Sequence, residues 1–550
     1  MQTPDACCPS RCGTGARVRC LRSCASARAP DRRHRWRGPT RNSSGWRSAS
    51  SSGASSRRRK SCARISPAAA DVTRAPLLLL LLALLVAPAG AQSHAGTPRA
   101  HYLLGRELER QQNLDAAAAE YRAALERAPN LAAAHDRLGF VLGLQGHTAE
   151  AIAEFEKAVA LQPASFDAHY HLGATLWWTK QLDRARPELQ RAVTLRPAHA
   201  EARYYLAVTE RQQGNLTAAI DGFRIALRHD PKLVPAHAQL GVALQELGDL
   251  DGAIAEFRRA LGLNPSLADT GNSLGLALMQ KGDAAAAVRA LRAVVNASPD
   301  LSEARLNLGA ALMQGGELDA AVTELGELTR RDPANAEAFY DLGLALKQRD
   351  DFEAAATALG TAMRLDPALP EAPFTLGVVL WQTGRAEEAM PLFKEAMARR
   401  SDYAEAHYML ATILKQQGSV EAALDEVRET IRINPLSGEA QTTLGQLLQA
   451  KHDAEGAKAA FMEAERLNKL KADAQASVFA VNAGLDQLKR QAVAAAIAKF
   501  REAIRLAPDN AQAHFQLALA LRRIGRQDEA SREFDTARRL APYLRATTTR

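Results

Sequence analysis

No cysteine follows Cys62 in this 550-residue chain; all six (Cys7, Cys8, Cys12, Cys20, Cys24, Cys62) lie near its start. A disulfide framework and a cysteine nucleophile are thereby excluded from everything downstream. Cys8 and Cys12, like Cys20 and Cys24, have ligand-like spacing, but no histidine pair or folded context accompanies them, so no metal is expected. Aromatic residues make up only 5%. With so much alanine and leucine, that argues for packed helices and against β-sandwiches or barrels. Also missing are a Gly-rich phosphate loop, a P-loop and an H-E-x-x-H pair, so no cofactor is expected. One G-x-S-x-G string, Gly271-Asn272-Ser273-Leu274-Gly275, falls where a helix is expected, whereas a nucleophile elbow needs a strand-to-helix turn. His169 and His171 are two residues apart and point away from each other on a helix. Nothing here marks an enzyme.

The formal charge of +9 is unevenly spread. Residues 1–75 hold sixteen arginines and Lys60 against Asp5, Asp31 and Asp71, a net +14, which leaves −5 for the rest. The basic surplus belongs to the leader, and the mildly acidic body lacks the footprint of a nucleic-acid binder. The Arg/Ser/Gly-rich composition of residues 1–71 cannot bury a core and is expected to be disordered. Residues 72–91 are different. Arg74 precedes an apolar run at 77–86, and Ala89-Gly90-Ala91 follows, the three parts of a secretory signal peptide. The run would rise about 15 Å as a helix, too short for a bilayer core of about 30 Å. A signal peptide belongs at an N-terminus, so the physiological chain is expected to begin near Val72; the alternative is a genuine basic extension. Cleavage after Ala91 would leave a mature chain starting at Gln92, exported to the periplasm or secreted, with no transmembrane segment.

What the chain does have is a repeat. Prolines stand at 129, 163, 197, 231, 265, 299, 333 and 367, each 34 residues after the last. The series skips Ser401, resumes at Pro435, skips Lys469, slips by five residues and ends at Pro508 and Pro542. Placing that proline at position 32 defines thirteen repeats, the first beginning at Pro98. Position 8 is Gly or Ala throughout, from Gly105 and Gly139 to Gly484 and Ala518, and position 20 is Ala in all thirteen. Position 24 is aromatic or aliphatic, as in Tyr121, Phe155, Phe257, Phe393 and Phe500. Positions 4, 7, 8 and 11 form one helical stripe and positions 20, 24, 27 and 28 another. The turn between them carries Gly in eight repeats, where a left-handed residue ends the first helix. Pro at 32 stops the second helix. Each repeat is therefore a helical hairpin that cannot cover both faces alone, and neighbours must stack into an all-α solenoid.

This pattern resembles the tetratricopeptide repeat, whose signature the repeats match at positions 7, 8, 11, 20, 24, 27 and 32 over residues 98–545. Position 4, usually Trp in that family, is often His here (His101, His135, His169, His237, His407, His514). The resemblance implies a right-handed superhelix whose concave groove is lined by positions 2, 5, 6, 9, 12 and 13 of the first helices. Position 5 then offers Tyr102, Tyr170, Tyr204, Tyr340, Phe374, Tyr408 and Phe515, which would either grip a ligand or brace the adjacent repeat. Position 12 adds Trp177 and Trp381, and position 13 adds Trp178. Position 13 also reads Gln212, Glu246, Gln280, Gln314, Gln348, Gln382, Gln416 over consecutive repeats, an amide series suited to a peptide backbone or to plain solvation. No repeat has the Lys at position 5 or Asn at position 9 with which chaperone-cofactor members clamp a carboxylate. Of the Asn ladder at position 6 in O-GlcNAc transferases, only Asn307 and Asn482 fit.

Repeats 1–11 are expected over 92–471 and repeats 12–13 over 472–550, separated by the irregular stretch 455–489, where a helix is expected to run on with a kink or domain boundary after about 471. The functional expectation is a non-enzymatic scaffold of the bacterial cell envelope that binds proteins or peptides in its groove. The alternative is a carbohydrate-handling accessory of exopolysaccharide secretion that stacks sugars on its tryptophans.

Overall fold

The computed structural model describes residues 96–541. The leader, the signal-peptide segment and all six cysteines lie outside the described residues, which form twenty-five α-helices and no strand. Several helix starts are capped by a side chain. Thr97, Ser165, Asn335, Ser437 and Asn510 each accept a hydrogen bond from the backbone N–H three residues on, and Asn113, Asp249, Asp283 and Asp453 do the same for second helices. Second helices stop short of their prolines, as Leu114–Arg127 does before Pro129 and Leu250–Leu263 before Pro265.

The turn between helices is uniform. Position 15 has a positive φ in all thirteen repeats: eight glycines, at φ 76–91°, and Gln112, Lys180, Asp350, His452 and Gln491, at φ 60–63°. The hairpin geometry demands a left-handed residue at this point whatever the side chain, and five repeats adopt it against the preference of L-residues.

Packing inside a hairpin follows from two small residues. The position-20 alanines are buried in every repeat, at 4% exposure or less. A Cβ placed on the position-8 glycine would fall 2.6 Å from the Phe257 ring in the case of Gly241, and 2.6 Å from Leu325 in that of Gly309. The two helix axes are close because glycine makes room for the position-24 side chain of the same repeat. Phe155, Phe257, Phe393 and Phe500 fill that space completely. Each such burial contributes about 1.5–3 kcal/mol.

The described residues divide into two compact bodies after Gly214. The N-terminal body holds seven helices, from Pro98–Arg110 to Ala200–Gln212, around a core running from Ala117 to Leu206. The C-terminal body holds eighteen, from Leu216–His229 to Gln527–Leu540. Its one long element, Ala454–Lys489, is a single 36-residue helix that serves as second helix of repeat 11 and first helix of repeat 12. It packs on Gly438–Ala450 and on Val493–Leu506. Beyond residue 471 its anchor is buried Ser477, which donates to the Ala503 carbonyl (2.7 Å) and accepts from Asn510 (2.8 Å). Met462 and Phe479 on this helix are exposed. Phe461 is 36% exposed, although its position-24 equivalents Phe393 and Phe500 are wholly buried. The architecture is an all-α helical-repeat solenoid.

Candidate interaction surface

Neighbouring first helices communicate through residues 35 apart. Position 5 of one repeat meets position 6 of the next: Asp136 with His171 (2.7 Å), Asn272 with Asn307 (2.9 Å), and the Tyr340 and Tyr408 hydroxyls with Thr375 and Thr443 (both 3.4 Å). Position 5 also reaches position 2 of the next repeat. Tyr170 donates to Glu201 (3.0 Å), and the Asn272 amide donates to Glu303 (3.0 Å). This geometry explains where the position-5 aromatics go. Tyr170 and Tyr340 are buried, and Tyr102, Tyr204, Phe374, Tyr408 and Phe515 are half-buried. Their rings lie against Tyr121 (5.9 Å), Tyr205 (5.2 Å), Tyr403 (4.8 Å for Phe374) and Phe534 (5.6 Å for Phe515). Most of these ring contacts fall within one repeat, whereas the Tyr170, Tyr340 and Tyr408 hydroxyls reach the next.

Position 13 is different. Gln280, Gln314, Gln348, Gln382 and Gln416 are all exposed at the C-terminal ends of successive first helices in the C-terminal body. Two are held by the preceding repeat: Gln245 Nε2 donates to Gln280 Oε1 (3.0 Å), and Gln314 Nε2 donates to the Met279 carbonyl (3.1 Å). Each of these contacts uses only part of the amide, so donors and acceptors still face solvent. Beside the row lie half-buried Met279, Met313, Lys347 and Trp381 at position 12. Burial pushes the Lys347 ammonium below its ordinary range. At the opposite ends of these helices stand Asp269, Glu303, Glu337, Glu371 and Glu405, which favour the helix N-termini. These first helices are acidic at one end and carry amides at the other.

The tryptophans divide. Trp381 packs on the cluster containing Phe393, Leu410 and Ile413. In the N-terminal body Trp177 is half-buried, 5.2 Å from the Tyr205 ring, and donates from Nε1 to Gln212 Oε1 (3.0 Å). Trp178, 42% exposed, lies 6.5 Å from Trp177 and presents the freest large ring of the three. Position 12 therefore has a packing role that spacing alone did not reveal.

Beneath this face of the N-terminal body runs a buried charge chain. Tyr121 donates to Glu109 (2.6 Å), Arg137 donates to Glu109 and to Asp136 (3.1 Å each), and Asp136 pairs with His171. Burial alone would raise the Asp136 carboxyl, but His171 and Arg137 together hold it below the usual carboxylate range. This network ties repeats 1–3 together. Among the described residues no cluster of three or more metal-ligating side chains occurs, and no helix is long and apolar enough to cross a membrane.

Stacked helical hairpins presenting a repeated polar face define a helical-repeat scaffold. Four family models described as tetratricopeptide repeats match it: at 278–344 and 380–447; at 175–234, 340–402 and 481–544; at 144–177 and 243–282; and at 98–131. The chain belongs to the tetratricopeptide repeat family, whose fold is typically a non-catalytic protein-interaction scaffold. Similar solved structures include YrrB, a TPR protein with an unusual peptide-binding site (20% identity, 34% of this chain and 95% of that one, TM-score 0.31). Others are the APC/C hetero-tetramer Cut9–Hcn1 (17%, 82% and 95%, 0.32) and MamA from Desulfovibrio magneticus RS-1 (22%, 31% and 96%, 0.29). No curated protein matches the chain.

Proposed function

We propose that this chain is a non-enzymatic scaffold exported to the bacterial cell envelope, where it holds extended segments of partner proteins along its first helices and so organises a multiprotein assembly. The observation that carries the reading is the row of exposed glutamines from Gln280 to Gln416, one per repeat over five consecutive repeats. An extended backbone offers alternating N–H and C=O groups, and an amide side chain can answer both. Half-buried Met and Trp side chains beside the row add apolar contact area. Export rests on the apolar run at 77–86 and on Ala89-Gly90-Ala91. A second reading, polysaccharide bound by stacking, is favoured by the open ring of Trp178 beside Trp177.

Affinity capture with residues 92–550 tests the proposal. Exchanging Gln314, Gln348 and Gln382 together for alanine should remove captured proteins while leaving helix content unchanged. Capture that is insensitive to the triple exchange refutes the amide row as the binding element. Retention on a polysaccharide matrix that is lost with Trp178→Ala would favour the second reading.

A further inference from the structure

Position 4 carries His in six repeats, and in all six position 23 carries Glu. The structure joins each pair: His101–Glu120, His135–Glu154, His169–Glu188, His237–Glu256, His407–Glu426 and His514–Glu533, at 2.5–2.6 Å through the ring Nδ1. This pairing ties the first helix of a repeat to its second. In four of the six, the other ring nitrogen meets the carbonyl of the proline that closes the preceding repeat. His135 Nε2 lies 2.9 Å from the Pro129 oxygen, His169 3.1 Å from Pro163, His237 3.1 Å from Pro231, and His514 3.0 Å from Pro508. These four rings are at most 8% exposed.

A carboxylate and a carbonyl can only accept. A neutral imidazole has one N–H, so it can satisfy one of them and must turn a lone pair on the other; the doubly protonated ring donates to both. A second observation agrees. In repeat 7 position 4 is Arg305, a permanent cation, and it pairs with Glu324 at position 23 (2.5 Å). We infer that position 4 is a cation site, and that His135, His169, His237 and His514 are protonated clamps that fasten each hairpin to the loop before it and loosen when they lose the proton. The two remaining histidines mark the limits of the device. His101 Nε2 faces the Arg127 guanidinium (2.8 Å) and so accepts there. His407 lies six residues after Ser401, where the proline series is broken. The other charged groups at the clamps act through the glutamates: Lys157 and Arg259 each bond the second oxygen of Glu154 and Glu256. At His169 and His514 the facing carboxylates are Glu188 and Glu533.

The chain contains its own controls. Repeats 8, 9 and 12 have Phe339 with Ala358, Pro373 with Leu392 and Ala480 with Lys499 at these two positions. Hydrogen exchange of the full chain, normalised to intrinsic rates, is compared between about pH 5.5 and about pH 8.5. Repeats 2, 3, 5 and 13 should lose protection by about tenfold as pH rises, the scale of one charge-assisted hydrogen bond, while repeats 8, 9 and 12 hold theirs. His237→Arg should keep repeat 5 protected and abolish its pH dependence, whereas His237→Gln should leave it unprotected at both ends of the range. Equal pH profiles in all repeats, or a His237→Arg chain that still loosens at high pH, would overturn the inference.

Discussion

Exchanging Gly309 for alanine probes the spacing rule on which every hairpin depends. The added Cβ would lie 2.6 Å from both Cγ and Cδ2 of Leu325, and Leu325 is fully buried, so it has no room to swing aside. Overpacking of this kind costs about 1–3 kcal/mol, and the better helix propensity of alanine returns about 1 kcal/mol. The net expectation is a loss of about 1 kcal/mol. Repeat 10 shows how the sequence solves the same problem: Ala411 at position 8 faces Val427 at position 24, a shorter side chain, and both are fully buried. Repeat 13 has Ala518 there with a partly buried Phe534, whereas repeat 4 has Ala207 at position 8 and still buries Phe223 completely. The Gly309 case turns on Leu325, whose branch point lies 2.6 Å from the added Cβ. Leu325→Val should therefore rescue Gly309→Ala. Alone it should cost about 1 kcal/mol for the missing methylene; with alanine at 309 it should restore stability to near the parent level. Urea unfolding, with hydrogen exchange over 302–331, measures the cycle. Strictly additive single exchanges would refute the size-matching argument.

Three further outcomes follow from the same geometry. Gln491→Gly relieves a left-handed backbone at φ 62° and should stabilise the C-terminal body by about 0.5–1 kcal/mol in urea melts. Trp178→Ala should change stability by no more than about 0.5 kcal/mol, whereas Trp381→Ala, whose ring packs on the buried cluster that includes Phe393 and Ile413, should cost about 2 kcal/mol. His199 accepts the Ala202 N–H on Nδ1 (3.2 Å), and burial, with Arg196 adding to it, holds its protonation below the ordinary 6.5. Its stabilising contribution is thus complete above pH 6.5 and is lost as pH falls through the lower folded-state value. Hydrogen exchange over 198–212 should rise on acidification, and His199→Asn, which keeps a cap acceptor, should flatten that response.

The fold was legible because its causes are local and repeated. A proline every 34 residues, small residues at 8 and 20, and a turn glycine each have one physical use, and thirteen copies separate them from chance. The five non-glycine turns were not readable individually, since Gln112 or Lys180 shows no preference for the left-handed region; only register with the glycines places them there. The surface was less legible. Position-5 aromatics read as either ligand grips or braces, and the contacts some of them make to a residue 35 positions on, as when Tyr340 meets Thr375, are invisible in the sequence. Trp177 and Trp381 read as groove residues from their position 12, yet their half-burial depends on which neighbour lies beside them. The His–Glu clamp could have been found in the sequence: position 4 and position 23 change together across repeats, a correlation inside one chain.

The central claim is that partners lie along the ends of the first helices. A photo-activatable residue in place of Gln348 tests it against the same probe in place of Thr357, which is exposed on the second helix of the same repeat. In cells producing the full chain, irradiation should give protein adducts from position 348 and none from position 357. Adducts from 357 alone, or from both positions equally, would contradict the account.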